Sequence, residues 1–200
     1  MASLISDWIG DRISERVTAV RGADFWTKPW TPVSRTAAMA WAVFYLWFLY
    51  YAATNTTGFL FIDSANLVVH EGGHLLFRYL GETMCLWGGT ILQWAVPILL
   101  AAYFFSLRQT GSFAFCLFFF FENWLYTATY MADARALELP LVTTGDPEFA
   151  KHDWNTIFTS LGVLPYDTVI ASVVHFGGWC GMIGTVGWLI WRAWRAQRLA

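Results

Sequence analysis

The sequence predicts an all-α fold: a polytopic bundle of membrane helices with four or five membrane segments and an amphipathic N-terminal helix in the interface. Three observations predict it. Of the 200 residues, 57% are hydrophobic and only 13% charged, whereas a soluble domain uses about 25% charged residues to wet its surface. Residues 36–53 carry no charge at all, and a run of about 18 apolar residues is long enough to cross a bilayer as one helix. The ionisable residues inside the apolar segments also recur at helical spacing, as they do when helices turn polar faces inward. The net charge of −2 and the lack of a basic block give no reason to expect nucleic acid, so membrane lipid is the expected partner.

Residues 1–30 read as an interfacial segment and 31–200 as one membrane-embedded helical domain. Asp7, Asp11 and Glu15 interrupt any apolar core of a signal peptide. Ile5, Trp8, Ile9, Ile13, Val17 and Val20 recur at helical spacing opposite Asp11, Arg12, Glu15 and Arg16, the pattern of a helix lying in the interface. Five apolar segments follow, near 36–53, 59–80, 86–107, 112–132 and 168–191. The three cysteines lie far apart and suit neither a disulfide framework nor a CxxC metal site. Gly177, Gly181 and Thr185 are spaced for close helix packing. Residues 133–167 form the one long polar connection. Within it, Asp146-Pro147-Glu148 reads as the start of a helix over 147–161: a cap, Pro at the first position and an acid in the first turn.

Charge sets the expected orientation. If segment 59–80 enters the membrane without crossing it, the other four cross and both termini are cytoplasmic. Nine of the twelve basic residues then lie inside, with only Arg78, Arg135 and Lys151 opposite. Five crossings would separate the basic ends.

The candidate chemistry is His70-Glu71-Gly72-Gly73-His74. Histidines four apart on a helix point the same way and can share one zinc ion. Glu71 projects about 100° round the helix, where it can act as a general base without being a ligand. Asp63 and Asn66 continue the same stripe and are candidates to orient a ligand histidine. Gly72 and Gly73 leave room for a chain to approach.

A catalytic zinc needs a third protein ligand. The segment 112–132 and its end carry a polar stripe of Glu122, Tyr126, Thr129, Tyr130 and Asp133 that suits a helix facing the histidines. The connection adds His152-Asp153. The expected metal ligands are therefore His70 and His74 with one of His152, Asp153, Asp133 or Glu122. Imidazole strength favours His152. If the stripe Ala150, Trp154, Ile157, Phe158 and Leu161 packs on the bundle, helical geometry turns Asp153 inward instead. His175 sits alone and reads as structural.

HEGGH within an apolar helix resembles the membrane zinc metallopeptidases, particularly the site-2-protease-like intramembrane proteases. The resemblance implies a Zn2+ cofactor on His70 and His74, Glu71 as general base, and an aspartate from a later membrane helix as third ligand. Asp133, in Met131-Ala132-Asp133, is the nearest positional match, although the family's usual Leu-Asp-Gly setting is absent. Gly88-Gly89 with Pro97 is similar to that family's glycine-containing segment. The wider pattern is similar to bacterial membrane proteins, which implies a bacterial inner membrane. The expected function is a membrane-embedded zinc hydrolase, a peptidase acting on a membrane protein substrate. The alternative is a non-catalytic subunit held among partner subunits of a membrane complex. A di-iron oxygenase would use more histidines than the four present.

Overall fold

The computed structural model describes residues 27–141 and 152–198; the expected N-terminal interfacial helix and the Asp146-Pro147-Glu148 start lie outside them. Among the described residues there are six α-helices and no strand: α1 Arg35–Thr54, α2 Asp63–Phe77, α3 Glu82–Ser106, α4 Thr110–Ala132, α5 Asp153–Ser160 and α6 Asp167–Arg198. Local chemistry fixes their ends. Ser34 Oγ accepts the Ala37 N–H at 3.2 Å and caps α1. Asp63 Oδ2 accepts the Leu60 N–H at 2.6 Å, holding the chain as it turns into α2. A 3-10 turn, Arg78–Leu80, extends α2, and Gly81 at φ +99° then reverses the chain into α3.

Neighbouring helices run antiparallel, as the contacts between them require. Gly73 meets Gly88 between α2 and α3. Trp94 donates to Thr127 between α3 and α4, and Phe113 packs on Trp188 between α4 and α6. The two ends of the bundle can therefore be identified. At one end, Trp30 packs against Phe105, Phe113 and Trp188 beneath the Arg108 and Arg192 guanidiniums. At the other, Thr129 donates to the Gly58 carbonyl, and Arg135 pairs with the buried Asp167 at 2.7 Å. Four helices, α1, α3, α4 and α6, thus run between the ends.

Among the described residues, three stretches are long and apolar enough to cross a membrane: Arg35–Thr54, Glu82–Ser106 and Leu164–Arg198. That is fewer than the four or five segments expected. Helix α4 has the length, but Glu122, Asn123 and Thr127 lie buried along it, and they make it less apolar. The 15 residues of α2 span only about 22 Å at 1.5 Å per residue, short of a hydrocarbon core of about 30 Å.

Aromatic packing fills the centre, where Tyr45 and Phe48 of α1 meet Phe118 of α4 and Met182 of α6. Small residues on α6 admit large ones from α4. A Cβ on Gly177 would strike the Trp124 ring at 2.8 Å, and one on Gly181 would overlap Phe121. Thr185 turns its hydroxyl back to the Gly181 carbonyl at 2.8 Å.

Candidate metal centre

Helix α2 carries His70, Glu71 and His74, whose ligand atoms lie within 4.8 Å of one another, a group that can hold a metal ion. Close backbone approach lets α3 reach them. A Cβ on Gly73 would collide with the Gly88 carbonyl, and a Cβ on Gly89 would meet the His70 ring 2.5 Å from Nε2. Of the two glycines inside the motif, Gly73 is the one that makes room. Beyond Gly72 the nearest atom, on Leu92, is 3.8 Å away.

Each histidine gives its Nδ1 to a fixed partner. His74 Nδ1 lies 2.8 Å from the Cys85 carbonyl oxygen, which can only accept. His70 Nδ1 lies 3.0 Å from Gln93 Oε1. With Nδ1–H donated outward, a neutral ring presents its Nε2 lone pair inward, the tautomer that metal-binding histidines adopt, whereas a protonated ring donates Nε2–H to Asp153. Gln93 is fully buried. Sequence reasoning named Asp63 and Asn66 for this orienting role and missed Gln93 and the Cys85 carbonyl. An uncharged amide inside an otherwise apolar segment was the available signal for Gln93; a backbone carbonyl leaves none.

The two Nε2 atoms converge on Asp153. Its Oδ2 lies 2.9 Å from His70 Nε2 and 3.1 Å from His74 Nε2. Asp153 arrives on α5, the short helix of the long connection. Trp154, Ile157 and Phe158 are buried against Met131, Ala134 and Ala171, and Trp87 meets Trp154 edge-on at 5.6 Å. Asn155 Nδ2 ties α5 to the Ala134 carbonyl at 2.8 Å, and the Asp153 N–H donates to Tyr130 Oη at 3.1 Å. Burial pushes the Asp153 carboxyl up, but the hydrogen bonds and charge of His70 and His74 outweigh it and hold the group below the usual carboxylate range.

Atoms with lone pairs facing one another at such distances need something shared between them, either hydrogen-bonding protons or one metal ion. Tetrahedral ligands at about 2.0–2.1 Å from zinc sit about 3.3 Å apart. The observed separations are slightly shorter than that.

The remaining candidates have other partners. His152 caps α5, its Nδ1 accepting the Asn155 N–H at 3.1 Å, and its Nε2 lies 3.3 Å from Asp133 Oδ2. Its ring lies over Tyr130 at 4.2 Å, and burial holds its pKa below the usual histidine value, only partly offset by Asp133. Asp133 accepts the backbone N–H groups of Glu138 and Leu139 at 2.9 and 3.1 Å, anchoring the chain that leaves α4. Glu122 is 0% exposed, with Oε2 accepting from Asn66 at 3.1 Å; the same amide donates to Asp63 at 2.9 Å. These three form a polar cluster between α2 and α4. His175 is exposed on α6 beside Trp179.

Glu71 is half-buried and opens onto a cavity of about 260 Å3. Tyr126 and Tyr130 form one side of it, and Leu60, Leu67, Leu139 and Leu141 supply apolar walls. Compared with known proteins, the chain matches no family model, no curated protein and no solved structure.

Proposed function

We propose that the chain is a membrane-embedded zinc hydrolase, a peptidase, in which His70, His74 and Asp153 hold the metal and Glu71 is the general base. The observation that carries the reading is the meeting of both Nε2 atoms with Asp153 Oδ2 within 3.1 Å. Three protein ligands with one open position are what a catalytic zinc uses. A zinc ion held there supplies Lewis acidity, lowering the pKa of water and polarising a carbonyl. Glu71, one residue past His70, faces the cavity, where its carboxylate can take a proton from water and return it to the leaving amine. Gln93 and the Cys85 carbonyl hold the two rings in one tautomer. The apolar walls of the half-open cavity suit a substrate segment with large apolar side chains.

In this reading α1, α3, α4 and α6 cross a bacterial inner membrane, and α2 enters without crossing. The arginines at the Trp30 end, Arg108 and Arg192 among them, face the cytoplasm. The metal site then lies toward the opposite face, where α5 packs.

Glu71→Gln tests the function. It is expected to keep the metal and lose at least about a hundredfold in hydrolytic rate, the scale of general-base loss. Unchanged hydrolysis contradicts the mechanism. Metal loss in this variant would move Glu71 into the coordination shell. A wild-type protein that binds metal but cleaves no membrane protein substrate would favour an accessory subunit.

A further inference from the structure

Helices α1 and α6 do not close on each other along their whole length. Arg35, Ala38, Met39, Ala42 and Tyr45 share one face of α1, and Val186, Leu189, Ile190, Ala193, Trp194 and Gln197 share one face of α6. The two faces line a groove of about 430 Å3, remote from the metal centre. Three alanines supply the room. From Arg35 to Tyr45 the groove follows ten residues of helix, about 15 Å.

The polarity of the groove is graded. Its inner part is aliphatic and aromatic, whereas Arg35 and Gln197 stand at its outer end. Arg195 and Arg198 lie on the same last turns of α6 and rest on Trp191 and Trp194. None of the ion pairs among the described residues involves Arg35, Arg195 or Arg198. An apolar trough ending in arginines with no carboxylate partner matches an amphiphile with an anionic head. Bilayer anionic lipids are drawn to such juxtamembrane cations by about 1 kcal/mol per residue.

We propose that the α1–α6 groove is a binding site for an anionic phospholipid, one acyl chain lying against Ala38, Ala42 and Ala193 and the phosphate meeting Arg35 and Arg198. The proposal rests on the membrane reading above and is independent of the metal. Recovery of the chain from the membrane fraction tests the membrane reading separately.

The experiment is native mass spectrometry of the full chain in detergent with added phosphatidylglycerol or phosphatidylcholine. Wild type is expected to retain phosphatidylglycerol at least about tenfold more tightly, in line with two arginines at about 1 kcal/mol each. Ala42→Phe, which fills the trough, is expected to abolish this retention, and Arg35→Gln to reduce the preference for phosphatidylglycerol several-fold. If Ala42→Phe does not fold, Ala193→Leu on the facing wall decides the same point. Equal retention of the two lipids by wild type overturns the proposal. So does wild-type retention by a folded variant with a filled groove.

Discussion

At the residue scale, the imidazole rings are held by atoms that lie away from the candidate metal position. Gln93 Oε1 and the Cys85 carbonyl fix which nitrogen of each ring faces Asp153. Losing such a partner typically weakens metal binding about 10–100-fold. Gln93→Leu should therefore raise the zinc dissociation constant by that factor while the helical circular dichroism stays unchanged, as competition with a chromophoric chelator would measure. A wild-type dissociation constant in this variant would remove Gln93 from the site. His152 and Asp133 make a different prediction, because His152 Nδ1 and the Asp133 carboxylate accept backbone N–H groups and the two side chains face each other at 3.3 Å. His152→Ala should cost about 1 kcal/mol of stability, as for a lost helix cap, read by thermal melting of the detergent-solubilised protein.

At the element scale, two adjacent glycines separate packing from propensity. Gly73 is the point where the α2 and α3 backbones touch, whereas a Cβ at Gly72 would make only ordinary contact with Leu92 at 3.8 Å. Gly73→Ala is expected to destabilise by at least about 1–3 kcal/mol, the usual cost of overpacking, and to lower zinc content by moving α2 away from Gly89. Gly72→Ala is expected to be neutral or stabilising by up to about 1 kcal/mol, since alanine is the better helix former. Equal melting temperatures for the two variants would contradict the close contact. HEGGH and the polar stripe of α4 were legible because side chains four residues apart share a helix face. The partner across the contact was not. That Gly88 and Gly89 meet α2, and that Gln93 reaches His70, depends on the register between helices, which no single segment encodes. The same limit applies to α5. Its stripe of Trp154, Ile157 and Phe158 turned Asp153 inward once it packed on the bundle, but the choice between Asp153 and His152 depended on what that stripe would meet.

At the scale of the whole molecule, the shared end formed by Trp30, Arg108 and Arg192 brings the start of the described chain beside its finish. An even number of crossings follows if the bundle spans a membrane, with α2 dipping in between. Single cysteines at Ser34 and Gln197, in a background where Cys85, Cys116 and Cys180 are serine, should label from the cytoplasmic side. Cysteines at Thr56 and Glu138 should label from the other. Labelling of Ser34→Cys and Gln197→Cys from opposite sides would contradict the four-span arrangement. Composition made the all-helical, apolar character legible at once. The number of spans was less legible, because α4 has the length of a crossing helix yet buries Glu122, Asn123 and Thr127. All of these features converge on the candidate metal site that four elements assemble, and metal analysis of the purified chain tests it most directly. Wild type and His152→Ala should each carry stoichiometric zinc, whereas Asp153→Ala, correctly folded, should lose it. Full zinc in Asp153→Ala, or a wild type that binds none, would contradict the account.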